Sequence, residues 1–193
     1  MLTQERITEI LKEAGVLLEG HFLLTSGRHS NRYLQCAKIF RNTKYSEELC
    51  GELAKLFKDD NIELVIGPAM GAVQMAYEVS RHIGCENFFT ERDESGKMCL
   101  RRGFEIQPGQ RVIVVEDVVT TGGSVKEVME LVRQAGGVVA GVGSVVDRTG
   151  GKIDFGVPFK AVYSADVTSW TAEECPLCKA GDTNPVKPGS RKK

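Results

Sequence analysis

The sequence predicts an α/β fold in which a mostly parallel sheet is flanked by helices, and three observations predict it. Two short apolar runs, at residues 64–66 and 112–115, each lead through a polar turn into a stretch with helical apolar spacing. A third apolar run, at residues 138–146, follows the second of these helices. The runs are near-continuously apolar, as strands buried on both faces are, and strands alternating with helices give parallel sheets.

Taken in order, Ile7, Ile10, Leu11 and Ala14 recur at helical spacing behind Thr3, a plausible N-cap, and Gly15 is the stop. Residues 21–40 mix short apolar runs with the turn-like Thr25-Ser26-Gly27, which predicts two strands around a polar bend. Tyr45, Leu49, Leu53, Leu56 and Phe57 mark one face of a second helix. The run 64–66 ends at Gly67-Pro68, and Val73, Ala76, Val79 and Ile83 mark a third helix closed by Gly84. Residues 87–90 and 98–106 read as strands around a charged bend. Pro108-Gly109 then turns the chain into strand 112–115, loop 116–123 and helix 124–135. Residues 174–193 hold prolines and glycines without a regular apolar period, so a loop or a loosely attached flap is expected there.

Composition removes several function classes. At 193 residues, 41% hydrophobic and 26% charged, the chain has the make-up of a folded globular protein. The formal net charge of -1 lacks the basic excess that phosphate counterion release requires, so no nucleic-acid partner is expected. The single basic cluster, Arg191-Lys192-Lys193, reads as a solvated tail. No apolar run approaches the roughly 20 residues of a membrane span, and the N-terminus lacks a secretory layout. The expectation is a cytoplasmic protein with no membrane partner.

Six cysteines in such a chain read as free thiols. Cys175-Pro-Leu-Cys178 could be half of a tetrahedral zinc site, but no second CxxC and no HxxxH is present. The pair therefore reads as structural or redox-inert, and no metal ligands are assigned.

The segment that carries chemistry is Val112-Ile113-Val114-Val115-Glu116-Asp117-Val118-Val119-Thr120-Thr121-Gly122-Gly123-Ser124. Its β-branched run makes a buried strand, and two carboxylates stand at the carboxyl end, where open parallel sheets bind ligands. Residues 120–124 supply hydroxyls, two glycines and the free amides of a helix start, which together form an anion cradle. Paired acids beside such a cradle suit a sugar phosphate, the acids accepting hydrogen bonds from ribose hydroxyls. A capping box of Ser124 with Glu127 would explain the helix start, though not the acid pair or the double glycine. No Walker loop or GxGxxG is present.

This thirteen-residue segment resembles the signature with which type I phosphoribosyltransferases bind 5-phosphoribosyl 1-diphosphate (PRPP). Other stretches resemble the orotate-using members of that family. Residues 22–30 with Tyr33 resemble their N-terminal hood, Gly67-Pro68-Ala69 with Gly71 their diphosphate-side loop, and Asp147-Arg148 the point where an arginine meets orotate.

The resemblance implies a type I phosphoribosyltransferase-like domain over residues 1–170, its hood at about 20–40, with a tail at 171–193. It also implies transfer of the phosphoribosyl group to orotate, Mg²⁺ as cofactor, and a homodimer with shared active sites. Glu116, Asp117, Val118, Val119, Thr120, Thr121, Gly122, Gly123 and Ser124 would bind PRPP. Glu116 and Asp117 would be catalytic together with Arg92 and Lys97, which would lie on a mobile loop reaching the partner's site. Thr120, Arg148, Tyr33 and Leu34 would contact orotate. His29, beside the hood, reads as polar surface.

The chain departs from the family where lysines often stand, with Thr25 before Ser-Gly-Arg and Met70 in the Gly-Pro-Ala loop. The mobile loop has Asp93 after Arg92, Lys97 one residue offset, and no following histidine. A purine or xanthine phosphoribosyltransferase and a non-catalytic PRPP-sensing regulator are the alternatives. The first shares the signature but has no use for a carboxylate-binding Arg148; the second would need a nucleic-acid surface.

Overall fold

The computed structural model describes residues 1–24, 26–165 and 168–188, so Thr25 and the basic cluster at 191–193 lie outside the described residues. Helix α1 (Gln4–Glu13) opens on Thr3, whose hydroxyl accepts from the Arg6 amide, and buries Ile7, Ile10 and Leu11. A two-stranded antiparallel ribbon follows, β1 (Leu17–Leu23) with β2 (His29–Leu34). The second strand does not reach residue 40: Cys36–Arg41 is a 3₁₀ helix that buries Cys36, Ile39 and Phe40. Short apolar runs fit either conformation, and here burial on one side of a tight helix wins.

The main sheet has six strands in the order β5-β4-β3-β6-β7-β8. Strands β3 (Leu64–Pro68), β4 (Glu86–Arg92), β6 (Arg111–Val119), β7 (Val138–Asp147) and β8 (Phe159–Ser164) pair in parallel, and β5 (Met98–Cys99) runs antiparallel at the β4 edge. Residues 100–106, expected to extend that strand, do not, because Arg102 and Gly103 take left-handed conformations with φ of 65° and 74°.

Alternation along the strands divides the core. Val65, Ile113 and Val115 pack with α1, α2 (Thr43–Leu56) and α3 (Val73–Ile83), whereas Leu64, Ile66, Val112 and Val114 pack with α4 (Gly123–Gln134). Helices cover both faces, as expected of a buried parallel sheet. From β3 the chain moves outward to β4, then returns to place β6 on the other side of β3. The order reverses between β3 and β6, and ligand crevices open at such a switch point, beyond the carboxyl ends of the two strands.

The tail is docked. Short helix α5 (Pro176–Lys179) follows Cys175, which is fully buried. Val186 pairs with the hood, donating to the His21 carbonyl at 2.8 Å while its own carbonyl accepts from the Leu23 amide at 2.8 Å.

Candidate active site

Strand β6 continues through both acids to Val119 instead of ending at residue 115, with Glu116 opposite Ser144 and Val119 opposite Asp147 of β7. The acids therefore occupy the last turns of a central strand at the switch point. Gly122 follows in the left-handed conformation, φ 71°, and caps α4. A Cβ there would stand 2.8 Å from Phe155 Cε1, so no side chain fits. The N-cap is Gly122, which has no side chain to cap with, and Glu127 is held by Arg92, so the expected Ser124–Glu127 box does not form among the described residues. The α4 amides stay free for an anion. The turn encloses a cleft of about 60 Å³ lined by Glu116 and Val118 to Val125, which brings together every residue expected to hold the sugar phosphate except Asp117.

Asp117 faces the neighbouring loop instead. A Cβ on Gly71 would lie 3.4 Å from both of its carboxylate oxygens, so the turn after β3 crosses directly over it. Burial raises the Asp117 carboxyl above its usual range, partly offset by the Val118 amide donating to Oδ1 at 2.8 Å. Burial, then the adjacent Asp117 charge, pushes Glu116 up to about 8. Two carboxylates held where bare charge is unfavourable will gain from incoming hydroxyl donors and cations.

Arg148 leaves the end of β7 with its amide donating to the Val119 carbonyl at 2.9 Å, which ties it to the acid-bearing strand. Its side chain is half-buried, and Nε is buried without a hydrogen-bond partner among the described residues. Burial lowers its pKa, partly offset by the charges of Cys36 and Tyr33. Cys36 in turn is raised by burial first and then by the Asp117 charge. Tyr33, Cys36, Asp117 and Arg148 are thus linked through the effect of charge on one another.

Leu34 is placed differently: it is 4% exposed and belongs to the apolar core, against Leu11, Leu17 and Ala165. Thr120 and Thr121 are exposed at the cleft mouth.

Arg92 and Lys97 sit on the β4–β5 hairpin. The Arg92 guanidinium binds both oxygens of Glu127, at 2.8 and 2.9 Å, and the Gly96 carbonyl at 2.6 Å. Lys97 is exposed beside α4, near Lys126 and Glu130. Neither side chain lines the cleft of its own chain. Asp147, read in the sequence only as the neighbour of Arg148, has a part of its own: its carboxylate accepts from the Thr149 and Gly151 amides and shapes the loop that carries Arg148. An Asp followed two residues later by such a bonded amide is an Asx turn, a signal present in Asp147-Arg148-Thr149-Gly150-Gly151.

Known proteins resemble this chain along nearly its whole length. Residues 37–155 match the model of the phosphoribosyl transferase domain. The chain is 56% identical over 191 residues to an orotate phosphoribosyltransferase of Pelotomaculum thermopropionicum, covering 99% of this chain and 100% of that one. It is 54% identical to one of Thermotoga maritima over 185 residues, 96% and 98% of the two chains. Among solved structures, orotate phosphoribosyltransferase from Mycobacterium tuberculosis superposes with a TM-score of 0.69 at 28% identity, covering 82% of this chain and 94% of that one. That from Aeropyrum pernix gives a TM-score of 0.71 at 25% identity, covering 91% and 98%. The chain belongs to the orotate phosphoribosyltransferases, within the phosphoribosyl transferase family.

Proposed function

We propose that the protein transfers the 5-phosphoribosyl group from PRPP to orotate, releasing diphosphate and forming orotidine 5′-phosphate for pyrimidine biosynthesis. The observation that carries the choice of base is Arg148, a half-buried guanidinium beside the acid-bearing strand with its Nε unpartnered among the described residues. A planar fork in that position suits the carboxylate that orotate has and uracil lacks.

The free amides at the α4 N-terminus hold the 5′-phosphate. Glu116 and Asp117 accept from the ribose hydroxyls and offset positive charge that develops on the sugar as the bond to diphosphate lengthens. The turn at residues 67–71, lying over Asp117, faces the leaving group. Thr120 and Tyr33 border the base.

Mg²⁺ fits this site as an ion carried largely by its substrate. Two adjacent carboxylates are too few for a protein-only cage, and magnesium commonly takes one or two carboxylates plus phosphate oxygens. Bound there, it would neutralise charge on the departing diphosphate. Arg92 and Lys97, which do not line their own cleft, serve the partner's site in a homodimer. The protein is expected in the cytoplasm.

Incubation with PRPP, Mg²⁺ and orotate tests the reading. Diphosphate and orotidine 5′-phosphate should appear in equal amounts. Release of diphosphate without the nucleotide would mean hydrolysis instead of transfer, and would refute it.

A further inference from the structure

We propose that His21, His29, Cys175 and Cys178 form a structural zinc site that fastens the C-terminal tail to the hood. The sequence shows only the CxxC half. The other pair comes from the hood ribbon: His29 lies opposite Leu23 across the strands, and His21 lies two residues before Leu23. Their rings meet edge to face, with centroids 4.8 Å apart. The tail brings Cys175 and Cys178 onto the same spot, one at each end of the first turn of α5.

Three of the ligand separations already match a zinc tetrahedron. Zinc bonds of about 2.3 Å to sulfur and 2.0–2.1 Å to nitrogen put neighbouring ligand atoms roughly 3.3–3.8 Å apart. Cys178 Sγ lies 3.3 Å from His29 Nδ1 and 3.8 Å from His21 Nε2, and Cys175 Sγ lies 3.5 Å from His21 Nε2. All four ligand atoms fall within 4.8 Å of one another. The His21 Nε2 to His29 Nδ1 separation is 2.8 Å, a shared hydrogen bond that must open by about half an ångström to admit the ion.

The surroundings suit a structural role. His21, His29 and Cys175 are buried, and four protein ligands leave no open position for a substrate. Asp182 Oδ2 stands 3.3 Å from His21 Nδ1, at ion-pair distance though not aligned as a hydrogen bond, on the side from which a carboxylate orients a ligating imidazole. Backbone pairing already brackets the site, His29 exchanging both bonds with Trp170 on one side and Val186 pairing with the hood on the other. Two thiolates and two neutral imidazoles balance the charge of one Zn²⁺, so burial leaves no net charge uncompensated.

The test is metal analysis of the full chain, purified under reducing conditions without a metal-binding tag and supplied with Zn²⁺. A single zinc ion per chain should remain after gel filtration. Its removal by a chelator should lower Tm and expose residues 168–188 to protease, and added zinc should restore both. Co²⁺ in its place should give the visible bands of a tetrahedral thiolate complex, lost in the Cys175→Ser, Cys178→Ser double variant. Should that variant fail to fold, Asp182→Asn, a change at a mostly exposed side chain, should still weaken zinc binding by roughly tenfold to a hundredfold. Reduced wild-type protein that takes up no zinc would overturn the proposal. So would zinc uptake that the cysteine variant retains in full, or a Cys175–Cys178 disulfide that persists under reductant.

Discussion

Asp147 gives its carboxylate to the Thr149 and Gly151 amides, at 2.6 and 3.1 Å, and so does not neutralise Arg148, its neighbour in sequence. The half-buried Arg148 guanidinium, whose Nε has no partner among the described residues, is available to a ligand. Arg148→Ala should therefore weaken orotate use by about ten- to a hundredfold, the ~1.5–3 kcal/mol of a charge-assisted contact. Arg148→Lys should recover only part, since an ammonium lacks the fork. PRPP affinity should change much less. Steady-state kinetics with each substrate varied separately checks this, and equal losses for both would remove Arg148 from the base.

Glu116 gives a pH prediction whose sign follows from linkage. Its carboxyl moves from an ordinary 4.5 to about 8 in the folded chain, so the native state holds a proton that the unfolded state has released. Its contribution to stability is full below pH 4.5 and is lost as pH rises to about 8. Glu116→Gln, which never ionises, should raise Tm relative to wild type at pH 8 and hardly at all at pH 4.5, while lowering turnover. Asp117→Asn should lower turnover more strongly with the fold intact, as circular dichroism would show. Unchanged turnover in the double variant would end the ribose-binding role of the pair.

Gly122→Ala places a methyl group against Phe155 and forces a side chain into a left-handed backbone, φ 71°. The strain is of order 1–3 kcal/mol. Thermal denaturation should show that loss, and PRPP binding should fall further than orotate binding, because the displaced turn is the phosphate cradle.

Arg92 and Glu127 form a bidentate pair that is more than a third exposed on both sides, so breaking it should cost well under about 1 kcal/mol of stability. Activity should nevertheless collapse in Arg92→Ala if the hairpin completes the partner's site. Mixing an Arg92→Ala, Lys97→Ala chain with an Asp117→Asn chain, then allowing subunits to exchange, should restore part of the activity, since mixed dimers carry one intact site. Mixtures no more active than their components would place Arg92 outside a shared site.

The sequence revealed what is local and periodic. The parallel strands, their helices and the acid-and-glycine turn after β6 could be read from short windows, because burial on two faces and the phosphate cradle each dictate residue type at fixed spacing. Strand β8 escaped notice because Phe159-Lys160-Ala161-Val162-Tyr163-Ser164 sits at the sheet edge, half-buried, with little apolar contrast. The expected Ser124–Glu127 capping box failed for a tertiary reason: Glu127 is held by Arg92, and Gly122 already closes the turn. His29, expected at the surface, is 7% exposed, since the tail that covers it lies more than a hundred residues along the chain. No local window could show that, nor that the second half of the CxxC cluster comes from the hood.

If this cleft joins PRPP to a carboxylate-bearing base, diphosphate release from PRPP and Mg²⁺ should depend on which of orotate, uracil, adenine, hypoxanthine and xanthine is supplied. Rapid release with orotate alone, matched by orotidine 5′-phosphate, is the predicted result. Comparable release with a purine, or none with any base, would contradict it.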